Sequence, residues 1–326
     1  MDKANLGIVI IGRNEGERLL RCIKSATRET GIVVYVDSGS TDNSIELARQ
    51  LGAEVVDLDL SVPFTAARAR NAGFEFLNTQ YPSLNYVQFI DGDCELVEGW
   101  VQRGLDFLNT SPQFAIVCGR RRERYPKASI YNQLCDLEWD TPVGETRFCG
   151  GDALMRVDAL KAVSGFNGSL IAGEEPELCI RLRQAGWKIY RLDAEMTLHD
   201  AAMTRFNQWW RRTQRGGYAF AEGVFMHGGS QECHRVKESR SVWLWGCLIP
   251  VVAGSVAFFK GMMGWGVLLV YPLQVGRLAL RSRCMPPNNW LQAFFLVLGK
   301  FPEFLGQLQF LWNRLIGSKG QLIEYK

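Results

Sequence analysis

Tyr86-Val87-Gln88-Phe89-Ile90-Asp91-Gly92-Asp93 is a largely apolar run that ends abruptly in two carboxylates separated by a glycine. Short runs of β-branched and aromatic residues bounded by turn residues read as buried strands. Outward from it, residues 6–11, 32–36 and 54–56 have the same character. Helical patterns lie between them. One covers about 17–26, with Leu19, Leu20 and Ile23 facing inward; a second covers 42–51 and stops at Gly52; a third covers 65–77. Strands alternating with helices predict an α/β fold built on a mostly parallel sheet flanked by helices. In such sheets ligands bind beyond the carboxyl ends of the strands.

Three of those ends are polar. The first strand runs into Gly12-Arg13-Asn14-Glu15, the second into Asp37-Ser38-Gly39-Ser40-Thr41-Asp42, and the fourth into Asp91-Gly92-Asp93. Hard carboxylate oxygens suit Mg²⁺ or Mn²⁺, which complete their shells with phosphate oxygens and water. Such an ion neutralises a diphosphate leaving group. Asp93 is the expected direct metal ligand, with Asp91 serving a ribose or a metal-bound water. Asp37 can face a donor nucleoside, and its turn can equally be a well-capped helix start. Arg68 and Arg70, followed by Asn71, either form a solvated helix face or reach the diphosphate.

The bulk composition agrees with a globular enzyme. The 326 residues are 47% hydrophobic and 22% charged, enough for a sizeable core. A net charge of +3 is too small and too dispersed for a nucleic-acid binder. The nine cysteines are odd in number and irregularly spaced, which favours a reducing compartment over a disulfide framework. The first apolar run is too short for a signal peptide, so a cytoplasmic catalytic domain is expected.

Taken in order, these strand ends resemble those of the family-2 glycosyltransferases, inverting enzymes with the glycosyltransferase A fold. The resemblance covers about residues 7–223. It also rests on Arg68 to Gly73, on Gly150-Gly151-Asp152-Ala153-Leu154-Met155, on Gly165-Phe166-Asn167, and on Gly173-Glu174-Glu175-Pro176-Glu177-Leu178-Cys179. It implies a nucleotide-diphosphate sugar donor, a divalent metal (Mn²⁺ or Mg²⁺), and a lipid-linked or glycan acceptor. It also implies a carboxylate base at a helix start. That base matches Glu175, a Glu where the family has Asp, with Glu174 as the other candidate. By the same resemblance Asn14, Glu15, Asp37, Arg68, Asn71 and Asp91 face the donor, Gly151 and Asp152 face the acceptor, and His199 is either a further metal ligand or diphosphate contact, or a structural histidine. Downstream, Trp209 and Trp210 suit sugar stacking, and Arg212 and Arg215 suit the diphosphate. Trp and Arg are equally at home at a lipid headgroup level. Two other readings are a sugar-phosphate nucleotidyltransferase and a non-catalytic nucleotide-binding membrane scaffold. The first would favour a glycine-rich, lysine-bearing loop after strand one, and Gly12-Arg13-Asn14-Glu15 is not one.

Residues 119–148 read as irregular, with Arg120 to Arg124 as a solvated charged face. Past 242 the character changes. Residues 242–259 and 261–276 carry no charge and are separated by Lys260. Arg235, Lys237 and Arg240 precede them, and Arg277, Arg281 and Arg283 follow. By the positive-inside rule this predicts a hairpin in contact with membrane lipids and with both ends cytoplasmic. Phe301, Phe304, Leu305, Leu308, Leu311, Trp312 and Leu315 then mark an amphipathic helix. The expected organisation is a catalytic domain over 1–230, a basic linker over 231–241, a hairpin over 242–283, and an amphipathic C-terminal segment over 284–326.

Overall fold

Residues 5–282, 284 and 286–318 are described in a computed structural model, and the chain divides into two compact units, with the boundary in sequence between Ala202 and Met203. In the first unit the expected alternation appears as β1 (Leu6–Gly12), α1 (Glu17–Thr27), β2 (Val33–Asp37), α2 (Ser44–Gln50), β3 (Glu54–Asp57), α3 (Ala66–Gln80) and β4 (Tyr86–Asp91). There follow β5 (Cys94–Leu96), α4 (Trp100–Thr110), β6 (Phe114–Glu123), α5 (Ile130–Glu138) and β7 (Gly144–Glu145). β8 (Ala153–Arg156), α6 (Val157–Ala162), α7 (Glu174–Gln184) and β9 (Lys188–His199) complete the unit.

The strands lie in one sheet in the order β3-β2-β1-β4-β8-β6-β9-β5, with β7 paired to β9. β3, β2, β1 and β4 are mutually parallel; β8 runs antiparallel to both β4 and β6, and β9 is parallel to β6. Two reversals restore the direction, so β6 and β9 end at the same edge as β1, β2 and β4. Cross-strand register makes this concrete. Gly12 pairs with Asp37, Ile11 with Asp91, and His199 with both Glu123 and Cys94.

The core explains why these runs are strands. Ile8, Val9, Ile10, Val34, Tyr35, Val87, Phe89 and Ile90 are fully enclosed, because helices cover both faces of the sheet. α3 starts at Thr65, whose hydroxyl accepts the Arg68 backbone N–H as an N-cap. It lies so close to β1 and β2 that a Cβ on Gly73 would stand 2.4 Å from Val9 Cγ1 and 3.0 Å from Val36 Cγ2.

The stretch 119–148 departs from the sequence reading. It is the end of β6, then α5, then β7. The arginine run alternates as a strand must. Arg120 and Arg122 pair with Asp136, Arg122 also with Glu195, and Arg124 with Glu95. Arg121 and Glu123 point to the other face, toward the polar edge of the sheet. A period of two was hidden because every member of the run is charged.

The second unit is helical. It holds α8 (Phe206–His227), α9 (Val236–Trp243), a π-helical turn (Leu244–Leu248), α10 (Ile249–Lys260), a 3₁₀ segment (Gly261–Leu269), α11 (Val270–Arg281), α12 (Asn288–Leu298) and α13 (Lys300–Leu315). α8 thus falls in this unit rather than with residues 5–202. Val236–Lys260 is one continuous helix, the single described helix long and apolar enough to cross a membrane. The second apolar stretch is a 3₁₀ segment followed by α11, and it folds back on α10, where a Cβ on Gly264 would lie 2.1 Å from Ala257 N. Arg283 and residues 319–326 lie outside the described residues.

Helices in this unit cross at glycine. A Cβ on Gly217 of α8 would lie 2.0 Å from Glu303 O, and one on Gly306 of α13 would lie 2.0 Å from Gln214 O. α13 buries Pro302, Gly306, Gln307 and Phe310, whereas Leu305, Leu308, Leu311, Trp312 and Leu315 are exposed. Its expected apolar face therefore points outward. The inward face is the one carrying Gln307, whose Oε1 accepts the Ser239 hydroxyl at 2.9 Å.

Candidate active site

The carboxyl edge of the first unit gathers most of the residues singled out from the sequence. Asp37 closes β2 with its carboxylate saturated by local donors. Oδ1 accepts Tyr35 Oη–H at 2.9 Å, and Oδ2 accepts the backbone N–H of Gly39 and Ser40 at 2.9 and 2.7 Å. Asn14 ties the neighbouring loop down, its Oδ1 accepting Thr41 N–H at 2.7 Å. Glu15 stands 2.9 Å from Arg18.

Asp91 is held from three sides. Arg70 Nη2 meets Oδ1 at 2.7 Å, Arg121 Nη2 meets Oδ2 at 3.3 Å, and its backbone N–H donates to Asp152 Oδ1 at 3.0 Å. Asp152 is fully enclosed. It also takes Arg121 Nη2 at 2.8 Å and the Thr197 hydroxyl at 2.7 Å. Burial works against the charge on Arg121, but Asp152 and Asp91 outweigh it and raise its pKa. Gly151 leaves an opening above these groups: a Cβ there would stand 3.0 Å from Arg70 Nη2, 3.1 Å from Asp91 Oδ2 and 3.2 Å from Arg121 Nη2.

Arg70 is the hinge of the arrangement. Only 2% exposed, it spends Nη2 on Asp91 and Nη1 on Glu174 Oε1, each at 2.7 Å. Burial again opposes the charge, and the two carboxylates override it. One guanidinium therefore joins the end of β4 to the start of α7. Arg68, two residues earlier on α3, donates instead to the carbonyls of Asp59, Val62 and Pro63, and Asn71 pairs with the backbone N–H and C=O of Phe166.

Glu175, next along α7, is 7% exposed. Its Oε1 accepts the Cys149 backbone N–H and the Cys179 thiol, the latter at 3.1 Å. Burial pushes the Cys179 thiol up to about 11, so it remains a donor at neutral pH. Cys149 Sγ lies 3.7 Å from Cys179 Sγ, and burial raises its pKa as well.

Asp93 and His199 supply a metal-ligating pair. Asp93 Oδ2 stands 3.3 Å from His199 Nε2. Adjacent ligands of an octahedral ion with bonds of ~2.1 Å lie about 3 Å apart, so the pair fits a hard divalent cation. Burial lowers the His199 pKa and keeps the ring neutral, the form that ligates. Cys94 Sγ is within reach, but burial holds it as a thiol, which a hard cation does not use. Asp91 has both oxygens on guanidinium groups.

Trp209, Trp210, Arg212 and Arg215 lie on α8 in the second unit, where Trp209 packs edge-on against Phe295 at 4.9 Å. Sequence reasoning passed over Arg121, Glu123 and the paired Cys149 and Cys179, and named Arg70 without choosing it. The alternation in 120–124 was the signal available for the first two; nothing local marks the cysteines.

Residues 7–163 match the model of the family described as Glycosyl transferase family 2. Among curated relatives, the glycosyltransferase AglE of Haloferax volcanii is 24% identical over 197 residues, 56% of this chain and 63% of that protein. The succinoglycan biosynthesis protein ExoA of Rhizobium meliloti is 30% identical over 202 residues, 57% of this chain and 60% of that protein. The chain thus spans about three fifths of each relative's length. The mannosyltransferase PcManGT of Pyrobaculum calidifontis, solved with GDP-Man and Mn²⁺, superposes with a TM-score of 0.63 at 15% identity, covering 95% of this chain and 88% of that one. That likeness is one of fold.

Proposed function

We propose that this chain, whose residues 7–163 match the model of the family-2 glycosyltransferases, transfers a sugar, with inversion, from a nucleotide-diphosphate donor to a lipid-linked or glycan acceptor at the cytoplasmic face of a membrane. The observation that carries this reading is the Asp91–Arg70–Glu174 bridge, which sets a carboxylate-rich strand end and a carboxylate-rich helix start around one opening at Gly151. Donor and acceptor chemistry need those two features side by side.

In this reading Asp37 and Asn14 shape the nucleoside end of the edge. Arg68 and Asn71 act at one remove, by holding the 59–63 loop and Phe166. Asp152 positions Asp91 and Arg121 from beneath. Asp93 and His199 would hold the divalent cation, which when bound would supply neutralising charge for the departing diphosphate. The acceptor hydroxyl oxygen attacks the anomeric carbon while the bond from that carbon to the diphosphate oxygen breaks on the opposite side. The hydroxyl proton passes to Glu175, whose Oε1 is fixed by Cys149 and Cys179 so that Oε2 receives it. Glu174 is engaged by Arg70 and serves to orient.

The membrane part rests on the helical unit. Val236–Lys260 is 25 residues, about 37 Å at helical rise, against a hydrocarbon core of roughly 30 Å. Phe258, Phe259, Met262 and Leu273 are each more than 70% exposed, and lipid would cover them.

The test is a panel of nucleotide sugars assayed with Mn²⁺ or Mg²⁺, using wild-type protein and Glu175→Gln. Donor binding should persist in the variant while transfer falls on the order of 10²–10⁴-fold, and the wild-type product should have the inverted anomeric configuration. Should Glu175→Gln be harmless and Glu174→Gln crippling, the base is the neighbouring residue. A retained configuration would remove the inverting mechanism.

A further inference from the structure

His199 is flanked by two carboxylates from neighbouring strands. On β9, between β6 and β5, it is in register with Glu123 on one side and Cys94 on the other. Asp93 Oδ2 lies 3.3 Å from Nε2, and Glu123 Oε2 lies 3.5 Å from Nδ1. Nδ1 is buried and has no hydrogen bond of ordinary geometry. Trp139 packs edge-on to the imidazole, centroids 4.8 Å apart, and so restricts its plane.

A neutral imidazole carries one proton. If Nε2 is to offer a lone pair to a cation beside Asp93, the proton must sit on Nδ1 and needs an acceptor there. Carboxylates behind metal-bound histidines fill this role, fixing the tautomer and raising ligand basicity. Glu123 is built to be such an acceptor. The residue is 3% exposed, Oε1 accepts Tyr125 N–H at 3.0 Å and Asn132 Nδ2–H at 3.2 Å, and Oε2 accepts Ala201 N–H at 3.1 Å. These three donors fix the carboxylate with Oε2 turned to the ring.

We infer that Glu123 is a positioning residue for the metal site, holding His199 as the Nδ1–H tautomer with Nε2 turned to the cation. The inference rests on the metal-site reading of Asp93 and His199. The 3.5 Å approach of Glu123 Oε2 to His199 Nδ1 is the contact through which it would act. Glu123 touches neither donor nor acceptor in this arrangement and acts only through the imidazole.

Two measurements test it. Mn²⁺ binding to the full chain is followed by EPR for wild type, Asp93→Asn, His199→Gln, Glu123→Gln and Glu123→Leu. Loss of binding is expected in the first two variants, and a 10–100-fold weaker affinity in the Glu123 variants. Unchanged Mn²⁺ affinity in Asp93→Asn and His199→Gln would overturn the metal-site reading itself. Loss there, with wild-type affinity in both Glu123 variants, would overturn only the positioning role. Because Glu123 anchors three other donors, its variants can fail to fold, and a measurement on wild type guards against that. With histidine ¹⁵N-labelled and His199 assigned by its absence in His199→Gln, the Mg²⁺-loaded protein should show a protonated Nδ1 and an unprotonated Nε2. A protonated Nε2 in that state would refute the inference whatever the variants do.

Discussion

Replacing Arg70 by Met should destabilise the first unit more than any other single change at the sheet edge. Arg70 is 2% exposed and makes two ion pairs at 2.7 Å, to Asp91 and to Glu174. Methionine fills much of the volume but removes both. Asp91 keeps Arg121 and the surrounding network, whereas Glu174, 13% exposed, makes no other ion pair among the described residues. Breaking a buried pair by deleting one partner costs about 3–5 kcal/mol, because the remaining charge is stranded. In a unit of about 200 residues, each kcal/mol moves Tm by roughly 2–4 °C, so the expected fall is roughly 6–20 °C. Near-ultraviolet circular dichroism melts would read it. Arg70→Lys supplies the comparison: an ammonium keeps the charge but cannot fork to both carboxylates, and should fall between wild type and Met. Transfer should drop further than donor binding in Arg70→Met, since the start of α7 loses its tie. A Tm loss under about 3 °C with normal transfer would show that the bridge neither stabilises the unit nor orients the base.

Other outcomes are expected elsewhere in the chain. Glu222 on α8 is pushed up to about 7 by burial alone, so its contribution to stability is full below about pH 4.5 and is lost as pH rises through 7. Glu222→Gln should therefore flatten the pH dependence of melting between pH 5 and 8.5, gaining about 1–2 kcal/mol at the alkaline end after allowance for its partial exposure. Identical pH profiles for both proteins would count against the burial argument. Gly73→Val should cost roughly 1–3 kcal/mol or more, given the 2.4 Å approach to Val9, and a urea midpoint equal to wild type would contradict the packing described. Carbonate washing should leave the full chain with membranes, and recovery in the soluble fraction without detergent would refute the membrane reading.

Much of the first unit was legible because its strands are short, β-branched and flanked by glycine or acids. β1, β2 and β4 sit within a residue of their expected limits. β6 and α5 escaped for physical reasons. Strand alternation is read from apolar against polar residues, and a run of five charged residues offers no contrast, although its two faces meet different partners. The edge residues nearest each other in sequence, such as Asp91 and Asp93, could be grouped from spacing. Arg70 and Glu174 meet only where α3 comes beside the start of α7, and Glu123 and His199 only through the parallel pairing of β6 with β9. In the helical unit the apolar stripe of α13 was visible, but its direction was not. A glycine beside a glutamine does not announce a buried face until another backbone is seen lying against it.

The glycine crossings of α8 and α13 have an evolutionary consequence. Where backbones touch at 217 and 306, the contact tolerates one residue type, while the large outward leucines and tryptophans are held by no shape requirement at all. Drift in this unit should thus be unevenly distributed. The bulky positions are free to exchange among themselves as long as they stay greasy, and the small ones are frozen. The helical unit can then change its exposed apolar surface without disturbing how its helices clasp.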